Sequence, residues 1–228
     1  MLFGFLFRMP SIERLELWIN DGVFKRLLKG KRCPSGDTIR NLLKLTNPNQ
    51  LREMSDHIIQ KARRNKVLRD GTIDGWVVSA LDGVELFEST KKCCPGCLTR
   101  VFYGVTHHYH RFVCCCTIGK NPHILWDMEP LKPRDGQQKD EGELTAAKRL
   151  GGSLHNRFHH FTDILVCDAL YANAPFIEGV KALKIDLVIR MKNERLQIMK
   201  EARGLFSKRN SDFKWVVKRP NHRTIIEA

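Results

Sequence analysis

Residues 163–190, with the sequence DILVCDALYANAPFIEGVKALKIDLVIR, decide the fold class of this chain. Residues 164–167 are a short apolar run of the kind found in buried strands, and residues 186–189 predict a second strand. Residues 175–183, between them, have helical apolar spacing and begin with a proline, which suits the first position of a helix. Helices alternating with short strands predict an α/β domain.

Three more apolar segments lie upstream, at residues 76–81, 111–118 and 123–126, and predict three sequential antiparallel strands. A loop rich in Pro, Gly and charge leads from them into a helix over 143–154, which Gly151-Gly152 is expected to interrupt. A further helix is predicted over 194–205. Residues 71–212 thus read as three strands followed by alternating helices and strands, and residues 213–228 are expected to begin further strands.

Residues 1–70 predict a small helical domain. Apolar residues recur at helical spacing from Ile12 to Leu27, and Gly30 is placed to end that helix. Asp37 is placed to cap a second helix, and a third helix ends among basic residues.

The charge of the chain is strongly basic and unevenly distributed. Its 228 residues are 42% hydrophobic, which excludes a disordered tail, and 39 basic against 25 acidic side chains give a net charge of +14. The net charge is +8 over residues 1–70, −2 over 71–180 and +8 over 181–228. Two basic terminal regions around a slightly acidic central region are typical of a protein that binds a polyanion with its ends. A solvated basic surface explains the same distribution equally well.

Five basic residues are candidates for phosphate contacts. They are Lys61, Arg63, Arg64, Arg190 and Lys192. For the first three the alternative is a solvated helix face, and for the last two it is a charged helix entry. No apolar run approaches the length of a membrane span, and we expect a cytoplasmic protein without a membrane partner.

Two aspartates each follow a predicted strand. Asp82 follows residues 76–81 and Asp168 follows residues 164–167. Carboxyl ends of strands line the ligand crevice of α/β sheets, and paired carboxylates hold Mg²⁺ for phosphodiester chemistry. Two alternatives stay open: Asp82-Gly83 also suits a hairpin turn, and Asp168 also suits a helix cap.

The cysteines form a second candidate site. Cys94, Cys97, Cys114 and Cys116 have the spacing Cys-x2-Cys-x16-Cys-x-Cys, which departs from a zinc ribbon at its second half. His107, His108 or His110 could supply a ligand instead. The alternative is that free cysteines pack as small buried hydrophobes.

Several short segments between about residues 35 and 210 are moderately specific when taken together. They are Pro34-Ser35-Gly36-Asp37-Thr38, Ala80-Leu81-Asp82-Gly83 with Phe87-Glu88-Ser89, Tyr109-His110-Arg111, Asp127-Met128-Glu129-Pro130, Asp140-Glu141-Gly142-Glu143 and Val166-Cys167-Asp168-Ala169-Leu170-Tyr171-Ala172. This set resembles the DDE transposases of bacterial insertion sequences, IS-four branch. The resemblance implies an RNase-H-like mixed sheet after a small helical domain, in the same order of elements that periodicity predicts.

The resemblance also implies an activity. Asp82 and Asp168 would be the first two catalytic carboxylates and would bind Mg²⁺ or Mn²⁺, while the partners would be double-stranded DNA, both transposon ends and target, and further copies of the chain. The protein would then be associated with the nucleoid.

The third carboxylate of the family lies in a Tyr-x2-Arg-x3-Glu-x6-Lys motif that this sequence lacks. We expect the chain to stop inside a β-rich insertion. Glu194 and Glu201, seven residues apart on one helix face, are candidates for local substitutes, but solvated helix carboxylates are the favoured interpretation of both. The alternative functions are an inactive DNA-binding remnant of a transposase and a zinc-stabilised binding module.

Overall fold

The structure is a computed structural model that describes residues 9–21, 26, 33–134, 139–191, 197–207, 214–219 and 222–227, the last two ranges by their backbone. The chain divides into two compact units, Met1–Ile58 and Ile59–Ala228. This division falls twelve residues before the expected end of the helical domain at residue 70.

The first unit is helical over the residues described. Helix α1 is Ile12–Asn20, α2 is Gly36–Leu45, and α3, Pro48–Arg64, continues into the second unit. Leu15, Ile19 and Ile39 form a small core. The expected cap at Asp37 is wrong, because the Ser35 hydroxyl accepts the Thr38 N–H (3.2 Å) and Asp37 instead pairs with Arg40 in the first turn (2.7 Å). The first helix is also shorter than predicted, and Leu27 and Gly30 lie outside the described residues.

The second unit is built on a six-stranded mixed sheet. Its strands are β1 (Val78–Ser89), β2 (Leu98–Phe102), β3 (Val105–Ile118), β4 (Leu125–Pro130), β5 (Ile164–Cys167) and β6 (Asp186–Ile189). The order is β2-β3-β1-β5-β6, and β4 pairs with β3 beyond the end of β2. β3 is antiparallel to β1, β2 and β4, whereas β5 is parallel to β1 and to β6. The predicted antiparallel start and α/β continuation are therefore confirmed, but the antiparallel part has four strands rather than the expected three, because the sequence pattern does not predict β2.

Helices α4 (Glu143–Phe158), α5 (Ala174–Ala182) and α6 (Gln197–Phe206) alternate with the last strands of this sheet. The expected interruption of α4 at Gly151-Gly152 is wrong: the helix continues for six residues beyond them to Phe158. Ala147, Leu150 and Leu154 are buried in the same core as Leu81 and Cys115 of the sheet. This burial outweighs the low helix propensity of two glycines, about 1 kcal/mol each relative to alanine.

Strand β1 passes straight through Asp82-Gly83, so the hairpin alternative there is wrong. The cause is the 14-residue partner β3, which continues the ladder with the pairs Asp82↔Cys114 and Gly83↔Val113. Asp82 therefore does not follow the first strand, as expected, but lies within it.

The expected strands near the end of the chain are present as an antiparallel hairpin of β7 (Lys214–Arg219) and β8 (His222–Glu227). Over the described residues, no helix combines the length and the apolar character that crossing a membrane requires.

Candidate functional site

Asp82 and Asp168 lie level with one another on neighbouring parallel strands. Leu81 of β1 pairs with Cys167 of β5, and each aspartate is the next residue along its strand direction. Neighbouring strands are about 4.8 Å apart, so the register brings two carboxylates to one point of the sheet. β5 ends there, which leaves Asp168 half-buried at a carboxyl edge and Asp82 exposed beside it.

Local hydrogen bonds orient both carboxylates. Asp82 Oδ1 accepts the N–H of Gly83 (2.8 Å), and Asp168 Oδ1 accepts the N–H of Leu170 (2.8 Å). The second bond caps the 3₁₀ helix Ala169–Tyr171, so Asp168 fulfils the capping alternative while it occupies the strand end. Each carboxylate has a second oxygen, and a cap therefore does not exclude a ligand role.

The two acids act electrostatically on the same thiol. Burial, followed by the charges of Asp168 and Asp82, raises the pKa of Cys167 to about 12. Burial also raises the pKa of Cys114, with Cys116, Asp127 and Asp82 adding to the effect. The carboxylates therefore share one negative region, which would attract a cation.

Glu143 lies beside this region, and the sequence did not single it out as a site residue. It is the first residue of α4, its side chain is only 8% exposed, and it forms an ion pair with Arg111. A Cβ added at Gly83 would lie 2.5 Å from Glu143 Oε2, so the carboxylate packs directly on the backbone next to Asp82. The Tyr171 hydroxyl donates to the same oxygen (3.4 Å), and burial, Glu143, Cys167 and Asp82 together raise the pKa of Tyr171. The sequence signal that could have indicated this contact is Gly83. A glycine directly after Asp82 leaves room for another side chain, here Glu143, to pack on the backbone.

The candidate phosphate-binding residues have different surroundings. Arg190 directly follows β6 and is exposed. Its backbone N–H donates to the Cys167 carbonyl (3.0 Å), so Arg190 lies at the same edge of the sheet as Asp168. Lys61 and Arg64 are exposed on α3. Arg63 instead donates to the carbonyls of Phe158 (2.9 Å) and His160 (2.7 Å). Lys192 and Glu194 lie outside the described residues, and Glu201 accepts a hydrogen bond from Gln197 on α6.

Only two of the four predicted cysteine ligands lie close together. Cys94 and Cys97 lie together with His110, and we call these three the thiol–imidazole cluster. Cys114 and Cys116 do not join it, because they lie further along β3, where they pair with Asp82 and Ala80. The expected set of four cysteines is therefore wrong, and the histidine alternative supplies the third member. Cys115, between them, is fully buried and packs as a hydrophobe.

Within the described ranges, the thiol–imidazole cluster is the only group of three or more His, Cys, Asp or Glu side chains whose ligand atoms all lie within 4.8 Å of one another. No third such side chain therefore joins both Asp82 and Asp168 within that distance. No protein-family model matches the chain, and no curated protein matches it significantly.

Proposed function

We propose that this chain is a DDE-type transposase with an RNase-H-like core, which acts on DNA in the cytoplasm by metal-dependent phosphodiester hydrolysis and strand transfer. The observation that carries the proposal is the register of β1 and β5, which sets Asp82 level with Asp168. The order of elements also supports it: antiparallel strands β1 to β4 are followed by α4, β5, α5, β6 and α6, which is the order that the resemblance implies with one additional antiparallel strand.

The chemistry of the two residues fits a hard divalent cation. Mg²⁺ and Mn²⁺ prefer carboxylate oxygens and keep several waters, so they suit an exposed aspartate beside a half-buried one at an open edge. When bound, such an ion lowers the pKa of a bound water and neutralises charge on the attacked phosphate.

The neighbouring side chains would position the reactants. Arg190, at the same edge, would bind a phosphate oxygen of the DNA backbone. Glu143 would act as a positioning residue. Its carboxylate packs on Gly83 and accepts a hydrogen bond from the Tyr171 hydroxyl, and these two contacts would hold the backbone that carries Asp82.

Calorimetry with Mn²⁺ tests the metal pair. We expect Asp82→Asn and Asp168→Asn each to weaken Mn²⁺ binding at least about tenfold, a loss of about 1.4 kcal/mol. Asp186→Asn is the matched control, because Asp186 is exposed at the opposite end of β6. Unchanged Mn²⁺ affinity in Asp82→Asn would contradict the proposal.

A second function, DNA binding without cleavage, is favoured because, among the described residues, no third His, Cys, Asp or Glu side chain joins Asp82 and Asp168 in a group whose ligand atoms all lie within 4.8 Å of one another. Incubation with supercoiled plasmid and Mn²⁺ separates the two functions. Nicking that disappears in Asp168→Asn supports the enzyme, whereas a shift in gel mobility without nicking supports the binding protein.

A further inference from the structure

We propose that the thiol–imidazole cluster of Cys94, Cys97 and His110 is a zinc site that holds the loop between β1 and β2 onto β3. This site is separate from the acid pair and does not depend on the proposed function. His110 precedes Cys114, the partner of Asp82, by four residues on β3, which corresponds to about 13 Å.

The distances within the cluster match those of a tetrahedral zinc site. Cys94 Sγ and Cys97 Sγ are 3.7 Å apart, and His110 Nε2 lies 3.3 Å from the first and 3.5 Å from the second. Bonds of about 2.3 Å to sulfur and about 2.0 Å to nitrogen at tetrahedral angles give about 3.8 Å between sulfurs and about 3.5 Å between sulfur and nitrogen. Three side chains from two segments thus already have the spacing that the ion would impose.

Backbone structure fixes each ligand. Cys97 N–H donates to the Cys94 carbonyl (3.0 Å) and Cys94 N–H donates to Cys97 Sγ (3.3 Å), so the Cys-Pro-Gly-Cys segment forms a closed turn. His110 is held in β3 by its pairing with Phe87 of β1. The centroids of the Phe87 ring and the imidazole are 5.8 Å apart. Cys97 is buried, whereas Cys94 is exposed and His110 half-buried.

The fourth position of a tetrahedral ion held by these three side chains would face a small cavity. The three ligands line it together with Phe87, Lys92 and Cys93, and its volume is about 210 Å³. With three protein ligands, a water would complete the tetrahedron, as in zinc sites that keep an open position. Thiolates and an imidazole select zinc over the hard cations proposed for Asp82 and Asp168, because those cations prefer oxygen ligands.

The test is metal content of the full chain purified under reducing conditions. We expect one zinc per chain, lost in Cys94→Ser, Cys97→Ser and His110→Ala but restored in His110→Cys, which supplies another ligand. Cys116→Ser is the matched control, since Cys116 is a half-buried cysteine of the same strand that the structure keeps out of the cluster. Zinc lost in Cys116→Ser and kept in His110→Ala would overturn the ligand assignment.

A second measurement needs no variant and is therefore independent of any folding defect. Cobalt added to the chelator-treated wild-type chain should give tetrahedral d–d bands and a sulfur-to-cobalt charge-transfer band of the intensity that two thiolates produce. Zinc should also raise the melting temperature of the chelator-treated protein, because an ion that binds only the folded state stabilises it. Fully reduced protein that takes up neither metal would overturn the proposal.

Discussion

Arg63 and Arg64 are adjacent on α3, yet their side chains have different roles. The Arg63 guanidinium is half-buried, donates to the carbonyls of Phe158 and His160 at the end of α4, and lies 5.9 Å from the Trp126 ring. We expect Arg63→Ala to lower the free energy of unfolding by about 2 kcal/mol, because two charge-assisted hydrogen bonds are lost.

Urea unfolding measures this difference, and Arg64→Ala is the matched control. Arg64 is exposed, and surface substitutions of that kind usually change stability by less than about 0.5 kcal/mol. Equal losses in the two variants would show that the Arg63 hydrogen bonds do not stabilise the fold.

Gly83 provides a second prediction for single residues. A methyl group on its Cα would lie within 2.7 Å of both carboxylate oxygens of Glu143, closer than real Cβ contacts. We expect Gly83→Ala to destabilise the protein by about 1 to 3 kcal/mol, because the buried carboxylate must move away from Arg111.

A double-mutant cycle checks the cause of that loss. Glu143→Ala removes the clashing group, so Gly83→Ala should cost much less in that background, with a coupling energy of about 1 kcal/mol or more. Additive free energies would place the clash elsewhere.

At the scale of elements, Arg149 of α4 ties the helix to β4 and to the loop that follows it. Its guanidinium contacts Glu129 Oε1 (2.6 Å), both carboxylate oxygens of Glu141 (2.5 and 3.0 Å) and the Pro130 carbonyl (2.9 Å). Burial by itself would raise the pKa of Glu141, but the bonds from Arg149 and from the Lys132 N–H bring that pKa below its ordinary value of 4.5.

A carboxylate with a lowered pKa stabilises the fold above its ordinary pKa and loses that effect as the pH falls through the lowered one. We expect Glu141→Gln to cost about 1 to 3 kcal/mol at pH 7, and the gap from wild type to shrink below about pH 4.5. Urea unfolding at pH 7, 5 and 3.5 measures the gap, and a gap independent of pH would contradict this account.

The elements also show what the sequence could and could not predict. The segments Ile164–Cys167 and Asp186–Ile189 predict strands with the bounds that the structure has, because each contains consecutive apolar residues, although β6 lies at the edge of the sheet and is only partly buried. β2 leaves no such pattern, since four of its five residues are exposed and its hydrogen bonds come from β3. The Asp82-Gly83 turn is a wrong alternative for a similar reason: a distant partner strand overrides a local turn signal. His110 joins Cys94 and Cys97 through the pairing of β3 with β1 and with β2, which spacing does not reveal.

At the scale of the whole molecule, the two units differ in the size of their cores. Among the described residues, nineteen buried side chains form the core of the second unit, whereas three form that of the first. Local stability follows buried apolar contact, so we expect the amides of α1 and α2 to exchange at least about tenfold faster than those of β1 and β3. Hydrogen exchange followed by mass spectrometry measures both sets, and equal protection would instead indicate a single cooperative unit.

The net charge of +14 gives the last prediction, which concerns DNA binding. Each phosphate neutralised by a basic side chain releases condensed counterions, so the logarithm of the affinity falls linearly with the logarithm of the salt concentration, with a slope of about −0.9 per phosphate on duplex DNA. Lys61 and Arg64 are exposed near the end of α3, where nearby basic residues raise the local positive potential. If they bind phosphates, the double variant Lys61→Ala, Arg64→Ala should reduce the slope by about 2 in fluorescence titrations between about 50 and 200 mM salt.

The control for a general loss of charge is Lys181→Ala, because Lys181 is an exposed lysine in the last turn of α5. A general charge effect would weaken binding in all variants alike. If Lys181→Ala reduces the salt slope by about half as much as the double variant, the change per removed charge is the same, and a specific contact of α3 with DNA is rejected.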